Sequence, residues 1–196
     1  MNTVLDLPCS KKLLSQTGFT LVELLIVLSI IAILASLASP PLDHIVQGGQ
    51  ANNIISKIAN YTRLARNVAV SKVTTSTLCP SIDGKTCSQS WKDGVLLFTD
   101  ANKNSKVDEN DQIIRFKRPF FEQGELKWNA FRNLVQFSPQ GVPSGTVGSF
   151  VYCPASKDAH YAKSLSLSFQ GRLRAGIDLN DDGIVEDSSQ KNILCP

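Results

Sequence analysis

The sequence has few histidines, no Cys-x-x-Cys pair and little excess of charge of either sign, and each absence argues against a class of function. A formal net charge of +3 over 196 residues is too small to predict nucleic-acid binding without local clustering of basic residues. The two histidines, His44 and His160, form no recognisable catalytic arrangement, and no cysteine pair has zinc-site spacing. We therefore expect no enzymatic activity, no metal centre and no cofactor. A composition of 42% hydrophobic and 19% charged residues argues against wholesale disorder.

Residues 19–38 form a long apolar run, FTLVELLIVLSIIAILASLA, in which Glu23 is the single charge. A helix of this length spans about 30 Å, the thickness of a bilayer's hydrocarbon core. Because Lys11 and Lys12 precede the run, the positive-inside rule leaves the N-terminus in the cytoplasm and places the chain after Pro40 across the membrane. The alternative is a cleaved secretory signal, but such a signal has a shorter apolar core of about 7–15 residues and no acid. The run predicts a retained single-pass anchor.

The start of this run carries a specific pattern. A short basic leader ends at Gly18, and Phe-Thr-Leu-Val-Glu (residues 19–23) opens the apolar helix. The pattern resembles the prepilin cleavage motif of type IV pilin-like proteins. The resemblance implies that a prepilin peptidase removes residues 1–18 after Gly18 and that the new Phe19 amine is methylated. It also implies anchoring in the cell inner membrane with a periplasmic globular domain, and then assembly with other pilins or pseudopilins into a filament.

Glu23 is an unusual residue for a membrane helix, since a carboxylate at the bilayer centre costs about 2.5–3.5 kcal/mol. It follows Phe19 by four residues, which is about 6 Å along a helix. With the motif, we expect Glu23 to be neutralised by the Phe19 amine of a neighbouring subunit, which sets the axial register of the filament. The alternative is an acid near the interface that reaches the lipid headgroups.

Helical periodicity continues from residue 40 to residue 72. Pro40 and Pro41 predict a kink or a short break after the assembly helix of residues 19–39. The following amphipathic half has apolar residues at three- and four-residue spacing, which suits packing on a sheet. These residues are Ile54, Ile58, Tyr61, Ala65 and Val68. The basic residues predicted on or near the solvated side are Lys57, Arg63 and Arg66.

Residues 73–196 have a β pattern, in which short β-prone runs are separated by clusters of Gly, Pro, Asp and Asn. The predicted strands are Val73–Cys79, Gly94–Thr99, Gln112–Phe116, Leu134–Phe137, Ser149–Cys153 and Ser164–Phe169. In the last of them Leu165, Leu167 and Phe169 alternate with serines, which is typical of a half-buried strand. The predicted fold is α+β, with a long N-terminal hydrophobic helix packed on antiparallel sheet in one globular domain.

Several short segments give a narrower resemblance. They are Leu64–Ala69, Thr77–Pro80, Asp83-Gly84, Trp91, Gly94 and Phe98–Asn102. Together with the N-terminus they resemble the GspH/FimT family. The resemblance implies a pilin-like fold without enzymatic activity. The family contains the H pseudopilin of type II secretion and minor pilins of type IV pili, including a FimT branch linked to DNA uptake in natural transformation.

Of the five cysteines, Cys9 lies in the leader, which leaves four on the oxidising side of the membrane. Four cysteines allow three pairings. We favour Cys79–Cys87, which closes a turn-containing loop, and Cys153–Cys195, which ties the C-terminus to a strand. Chain entropy gives these bonds about 2.6 and about 4 kcal/mol of stabilisation.

Two loops, Asp100–Asp111 and Asp178–Glu186, carry oxygen ligands at offsets similar to those of an EF-hand. Both lack the bidentate glutamate at offset 12, and no helical pattern clearly flanks either loop. Asp, Asn and Gly also form ordinary turns between strands, so calcium binding and plain turns both remain open here.

The segment after the last predicted strand contains Gly171, Arg172 and Arg174. If Gln170-Gly171 makes the turn, the two arginines share one face of the returning strand, roughly 6.6–6.8 Å apart. The planar guanidinium fork suits phosphate, and the glycine lets a nucleic-acid backbone approach closely.

This Gly-Arg-x-Arg pattern resembles the C-terminal DNA-binding motif of the FimT branch. The resemblance predicts DNA binding that is largely independent of base sequence, because the contacts are to phosphates. Lys157 and Lys163 extend the basic patch if the strands pair. The alternative is a pseudopilin H or structural minor pilin without DNA binding, in which the arginines are solvated or touch a neighbouring subunit.

Overall fold

A computed structural model describes residues 18–145, 147–187 and 189–196, and leaves the side chains of residues 37–44 outside the description. All of the predicted leader except Gly18 lies outside the described residues. The chain divides into two units, residues 1–43 and 44–196. Within the part of the chain just specified, no helical segment combines the length and the apolar character that crossing a membrane requires.

Helix α1 (Leu21–Lys72) begins directly after Thr20. The Thr20 Oγ1 atom accepts a hydrogen bond from the Glu23 amide at 3.2 Å, and the Thr20 carbonyl accepts one from Leu24, also at 3.2 Å. Thr20 is therefore the N-cap, and Thr-x-x-Glu is the spacing of a capping box. In this first unit Phe19 and Glu23 are exposed.

The same helix continues through Pro40 and Pro41, so of the predicted kink or short break, the break is wrong. Each proline lacks a backbone N–H, so it donates no helical hydrogen bond and disturbs the preceding turn. The residues on either side keep the backbone N–H and C=O groups that form the helix.

Helix α1 ends in a left-handed residue that is not glycine. Val73 has a φ of 50°, and the next amide, on Thr74, donates to the Ala69 carbonyl at 3.1 Å. This is the Schellman pattern, in which the left-handed position is usually glycine because a Cβ atom is strained there. The Val73 side chain is exposed and gains little from burial in return.

We expect Val73→Gly to stabilise the protein by about 0.5–1 kcal/mol. Relief of left-handed strain, about 1–2 kcal/mol, exceeds the added chain entropy of glycine in the unfolded state. Urea unfolding followed by circular dichroism measures the change. Val70→Gly, inside the last turns of the helix, is the matched control and should destabilise by about 0.3–0.5 kcal/mol from helix propensity alone. A less stable Val73→Gly protein would contradict this explanation.

In the described residues, eight strands form two four-stranded antiparallel sheets. The first sheet has the order β3 (Ile113–Lys117), β2 (Val95–Thr99), β1 (Ser76–Pro80), β5 (Val135–Phe137). The second has the order β4 (Glu125–Asn129), β6 (Gly148–Cys153), β7 (Lys163–Leu167), β8 (Leu173–Ala175). All six predicted strands are present with shifted ends. Strand β4 is not among the predicted strands.

One hydrophobic core joins the second half of helix α1 to both sheets. Ile54 and Ile58 of the helix lie in the same buried cluster as Leu97 of the first sheet and Phe150 of the second. Trp91 is 1% exposed within this cluster, and its Nε1 atom donates to the Asn133 side chain at 2.8 Å. The α+β prediction is confirmed, because an amphipathic helix face packs on antiparallel sheet.

The disulfides are Cys79–Cys87 and Cys153–Cys195, with Cα atoms 5.6 Å apart in each, so the predicted pairing is confirmed. The short bridge encloses a turn organised by Asp83. Backbone N–H groups of Thr86 and Lys85 donate to its carboxylate and hold the pKa of Asp83 well below the usual range, because they favour the charged form.

In the two EF-hand-like loops, aspartates proposed as ligands accept hydrogen bonds from groups of the protein. Asp100 is fully buried and accepts from the Thr77 hydroxyl at 2.6 Å, the Gln136 amide at 3.1 Å and the backbone of Asn104 at 3.0 Å. In the second loop the Gly183 amide donates to Asp178 at 2.7 Å. Across the described residues, no three His, Cys, Asp or Glu side chains come together as a metal site. Both loops have the backbone hydrogen bonds of Asx-type turns.

Candidate nucleic-acid interface

Strands β7 and β8 form the hairpin that carries the two arginines. Leu167 pairs with Leu173, and Ser166 pairs with Arg174. Ser168 closes the turn, since its carbonyl accepts from the Gly171 amide and its amide donates to the Arg172 carbonyl, both at 2.9 Å.

The loop therefore contains three residues, Phe169–Gly171, and the predicted two-residue turn at Gln170-Gly171 is wrong. Gly171 has a φ of 75°, as expected for the left-handed residue that follows the turn in a three-residue hairpin loop. The same loop corrects the prediction for Phe169. That side chain lies outside β7 and is 79% exposed, whereas Leu165 and Leu167 are buried as predicted.

Arg172 and Arg174 are both exposed, and Leu173 between them packs against the core. Alternation along the strand puts the two guanidinium groups on one face and Leu173 on the other. Among the described residues, ion pairs within 4 Å link Lys127 with Glu125 and His160 with Asp158, and neither pair involves these arginines. The face presents two solvated positive charges.

Lys157 and Lys163 do not extend this patch. Lys163 pairs with Tyr152 at the start of β7, the end opposite the hairpin. Ser166 pairs with Arg174, so these two side chains lie on the same face of the sheet. Lys163 is three residues before Ser166 on β7, so its side chain lies on the opposite face. Lys157 lies in the turn before the 3₁₀ helix Ala159–Tyr161, where its amide bonds to the Pro154 carbonyl at 3.1 Å. The predicted extension is wrong because both lysines lie at the far end of the strand.

Arg66 of helix α1 contacts the hairpin loop. It is half-buried, and its Nη1 atom donates to the Gly171 carbonyl at 3.1 Å across 105 residues of sequence. A Cβ atom on Gly171 would lie 3.1 Å from the Gly141 carbonyl oxygen and 3.3 Å from Arg66 Nη1. The close approach and the positive φ both require glycine at position 171. Arg66, predicted on or near the solvated side, is therefore half-buried and bonded to the hairpin loop.

A cleft of about 520 Å³ lies between helix α1 and the hairpin. Its lining comprises Thr62, Arg63, Arg66, Asn67, Gly171, Arg172 and Leu173. Three of these residues are arginines and none is acidic, which makes the cleft a region of positive potential. Periodicity alone did not reveal this site, because the helix and the hairpin are distant in sequence.

Two protein-family models match parts of this sequence. Residues 55–171 match the family model described as type II transport protein GspH, and residues 13–39 match the prokaryotic N-terminal methylation motif. No curated protein matches the sequence.

Among solved structures the chain is similar to the type IV minor pilin FimU of Pseudomonas aeruginosa strain PAO1. In one crystal form the TM-score is 0.55 at 17% identity, covering 76% of this chain and 96% of that chain. In another crystal form the TM-score is 0.51 at 17% identity, covering 64% and 92%. For the minor pseudopilin EpsH of the Vibrio cholerae Type 2 Secretion System it is 0.46 at 12% identity, covering 64% and 95%. At such identities the FimU likeness shows the fold alone. These neighbours are pilins or pseudopilins rather than enzymes.

Proposed function

Since the chain belongs to the type II transport protein GspH family, we propose that it is a filament subunit that binds DNA through Gly171, Arg172 and Arg174. The role in filament assembly follows from the family and the methylation motif. The chain is a minor-pilin-like or pseudopilin-like subunit that assembles with other pilins. DNA binding, for uptake in natural transformation, is the specific role proposed.

The observation that supports DNA binding is the pair of exposed arginines on one face of a braced hairpin. Their guanidinium groups have no ion-pair partner among the described residues, so a phosphate would not have to displace a carboxylate. The Gly171 carbonyl is held by Arg66, which limits the motion of the loop before binding.

Contacts of this kind are to phosphates and do not read base edges. The expected binding is therefore sequence-independent, and its affinity falls steeply with salt because counterions are released from the DNA. Such binding suits a filament that takes up DNA of any sequence.

The N-terminal part of the proposal concerns processing and assembly. A prepilin peptidase cleaves after Gly18, the Phe19 amine is methylated, and the helix that follows anchors the subunit in the inner membrane with its β-rich domain in the periplasm. In the filament, Glu23 pairs with the Phe19 amine of a neighbour. The methylation motif at residues 13–39 supports this proposal.

The test of DNA binding is the double variant Arg172→Ala, Arg174→Ala. We expect the slope of log K against log salt to become shallower by about 1.8, since each arginine neutralises about one phosphate. If the salt-independent part of the affinity is unchanged, binding at 0.1 M salt weakens about 60-fold. Fluorescence anisotropy with a labelled duplex and the full chain in a non-ionic detergent measures both quantities.

The matched control is Lys157→Ala with Lys163→Ala, which removes the same two charges at the far end of β7. Its slope should stay close to that of the unmodified protein. Equal slopes for the two double variants, with both proteins folded by circular dichroism, would reject the hairpin as the DNA site. That result would favour a structural pseudopilin or minor pilin that does not bind DNA.

A further inference from the structure

We propose that Arg63 and Arg66 of helix α1 complete the DNA-binding site, with one backbone phosphate seated in the cleft between the helix and the hairpin. Arg63 contacts the phosphate together with Arg172, and Arg66 is a positioning residue that fixes the loop. This inference rests on the proposed function. It adds to the hairpin a second part of the DNA-binding site, which lies on helix α1.

The composition of the cleft carries the argument. Arg63, Arg66 and Asn67 lie three and four residues apart, so they share one helix face, and Arg172 approaches from the hairpin. No acidic side chain lines the cleft, and its arginines belong to neither ion pair of the described residues. Three cations held together without a counter-charge repel one another, and a bound anion relieves that repulsion.

The geometry favours an anion bound from both sides. Arg63 is exposed, and its Nη1 atom donates to the Asn60 side chain at 3.1 Å, which restrains the guanidinium on the helix surface. That bond uses one of five N–H donors, so the others remain for a ligand. A phosphodiester has two charged oxygens, and a pair of arginine forks suits it.

Arg66 has a different role from Arg63. It is half-buried, and its bond to the Gly171 carbonyl crosses the gap between the two elements. Because Arg172 follows Gly171 directly, this bond sets the distance of Arg172 from the helix. A lysine keeps the charge but not the planar fork, so it cannot brace the loop in the same way.

The test measures salt slopes for single substitutions in the full chain, with a labelled duplex as the probe. Arg63→Gln should make the slope shallower by about 0.9 and weaken binding about eightfold at 0.1 M salt. Lys57→Gln removes one exposed charge from the same helix outside the cleft and is the matched control, with a slope close to that of the unmodified protein. Arg63→Lys should retain most of the slope. Arg66→Lys should lower affinity at an unchanged slope, because the phosphate contacts of Arg63 and Arg172 are kept while the loop that positions Arg172 loosens.

The outcomes separate this inference from the proposed function. If the hairpin double variant loses binding while Arg63→Gln and Lys57→Gln have the same slope, the hairpin site stands and the cleft is rejected. If the hairpin variant binds normally, the proposed function itself fails. A third arm uses vesicles of anionic phospholipid. If Arg63→Gln weakens vesicle binding and leaves duplex binding unchanged, the phosphate belongs to a lipid headgroup and the DNA assignment is overturned.

Discussion

Replacing Cys153 and Cys195 by serine should lower the free energy of unfolding by about 4 kcal/mol, because the bond closes a loop with a sequence separation of 42 residues. For a chain of this size the loss corresponds to a fall in Tm of about 8–16 °C. Differential scanning calorimetry, with urea unfolding as a second probe, measures it. The effect is large because the unfolded chain regains the freedom of the whole C-terminal segment.

Packing around this disulfide supports the same expectation. Cys153, Ala162, Val185 and Ile193 form a buried cluster against which Cys195 packs, so the C-terminal segment packs against the end of strand β6 and the residue before β7. A Cβ atom on Gly176, just after β8, would meet Ser164 Oγ and Val185 at 2.1 and 2.5 Å. The segment that the disulfide ties down therefore also packs against the end of the hairpin.

The second disulfide supplies an internal comparison. Cys79 and Cys87 are separated by 8 residues, and the shorter loop gives about 2.6 kcal/mol on the same entropy estimate. The corresponding serine pair should therefore cost less than the Cys153, Cys195 pair. If the Cys79, Cys87 pair cost more, native packing rather than loop length would determine how much each disulfide stabilises the protein. Cys79 is fully buried beside Leu96 and Phe98.

Local sequence patterns predicted most of the fold because the forces that set them are local. Ile54 and Ile58 recur at helical spacing and are buried, as their periodicity requires. Sequence patterns do not predict strand β4, although Leu126 and Trp128 alternate with exposed Glu125 and Lys127. Charged residues weaken the β signal of so short a run. The alternation itself was the available signal.

The candidate site was predicted less completely because it depends on contacts between distant segments. Phe169 continues the alternation of Leu165 and Leu167, but Gly171 sets a three-residue loop that begins at Phe169 and leaves it exposed. Periodicity predicts Arg66 on or near the solvated side, because it cannot show a partner 105 residues away. Proximity in sequence groups Lys163 with the arginines, whereas the strand register separates them.

Replacing Glu23 by glutamine should prevent filament assembly while leaving the helix start intact. Glu23 occupies the third helical position after Thr20, and the Thr20 side chain accepts a hydrogen bond from its amide. Glutamine serves a capping box as well as glutamate, so this variant removes the charge and keeps the cap. Breaking an ion pair in apolar surroundings costs about 3–5 kcal/mol, which is more than about a hundredfold in an assembly equilibrium.

The measurement is the fraction of the subunit recovered with sheared filaments, compared with the total in the cells. Mass spectrometry of the N-terminus must first show that the leader is still removed after Gly18, so that a processing defect is not read as an assembly defect. Glu23→Ala removes both the charge and the side-chain oxygens that a capping box supplies to the N-cap amide, and it should assemble no better than Glu23→Gln. If Glu23→Gln assembles normally and Glu23→Ala does not, the residue acts through the helix cap, and the proposed pairing with a neighbour's Phe19 amine is wrong.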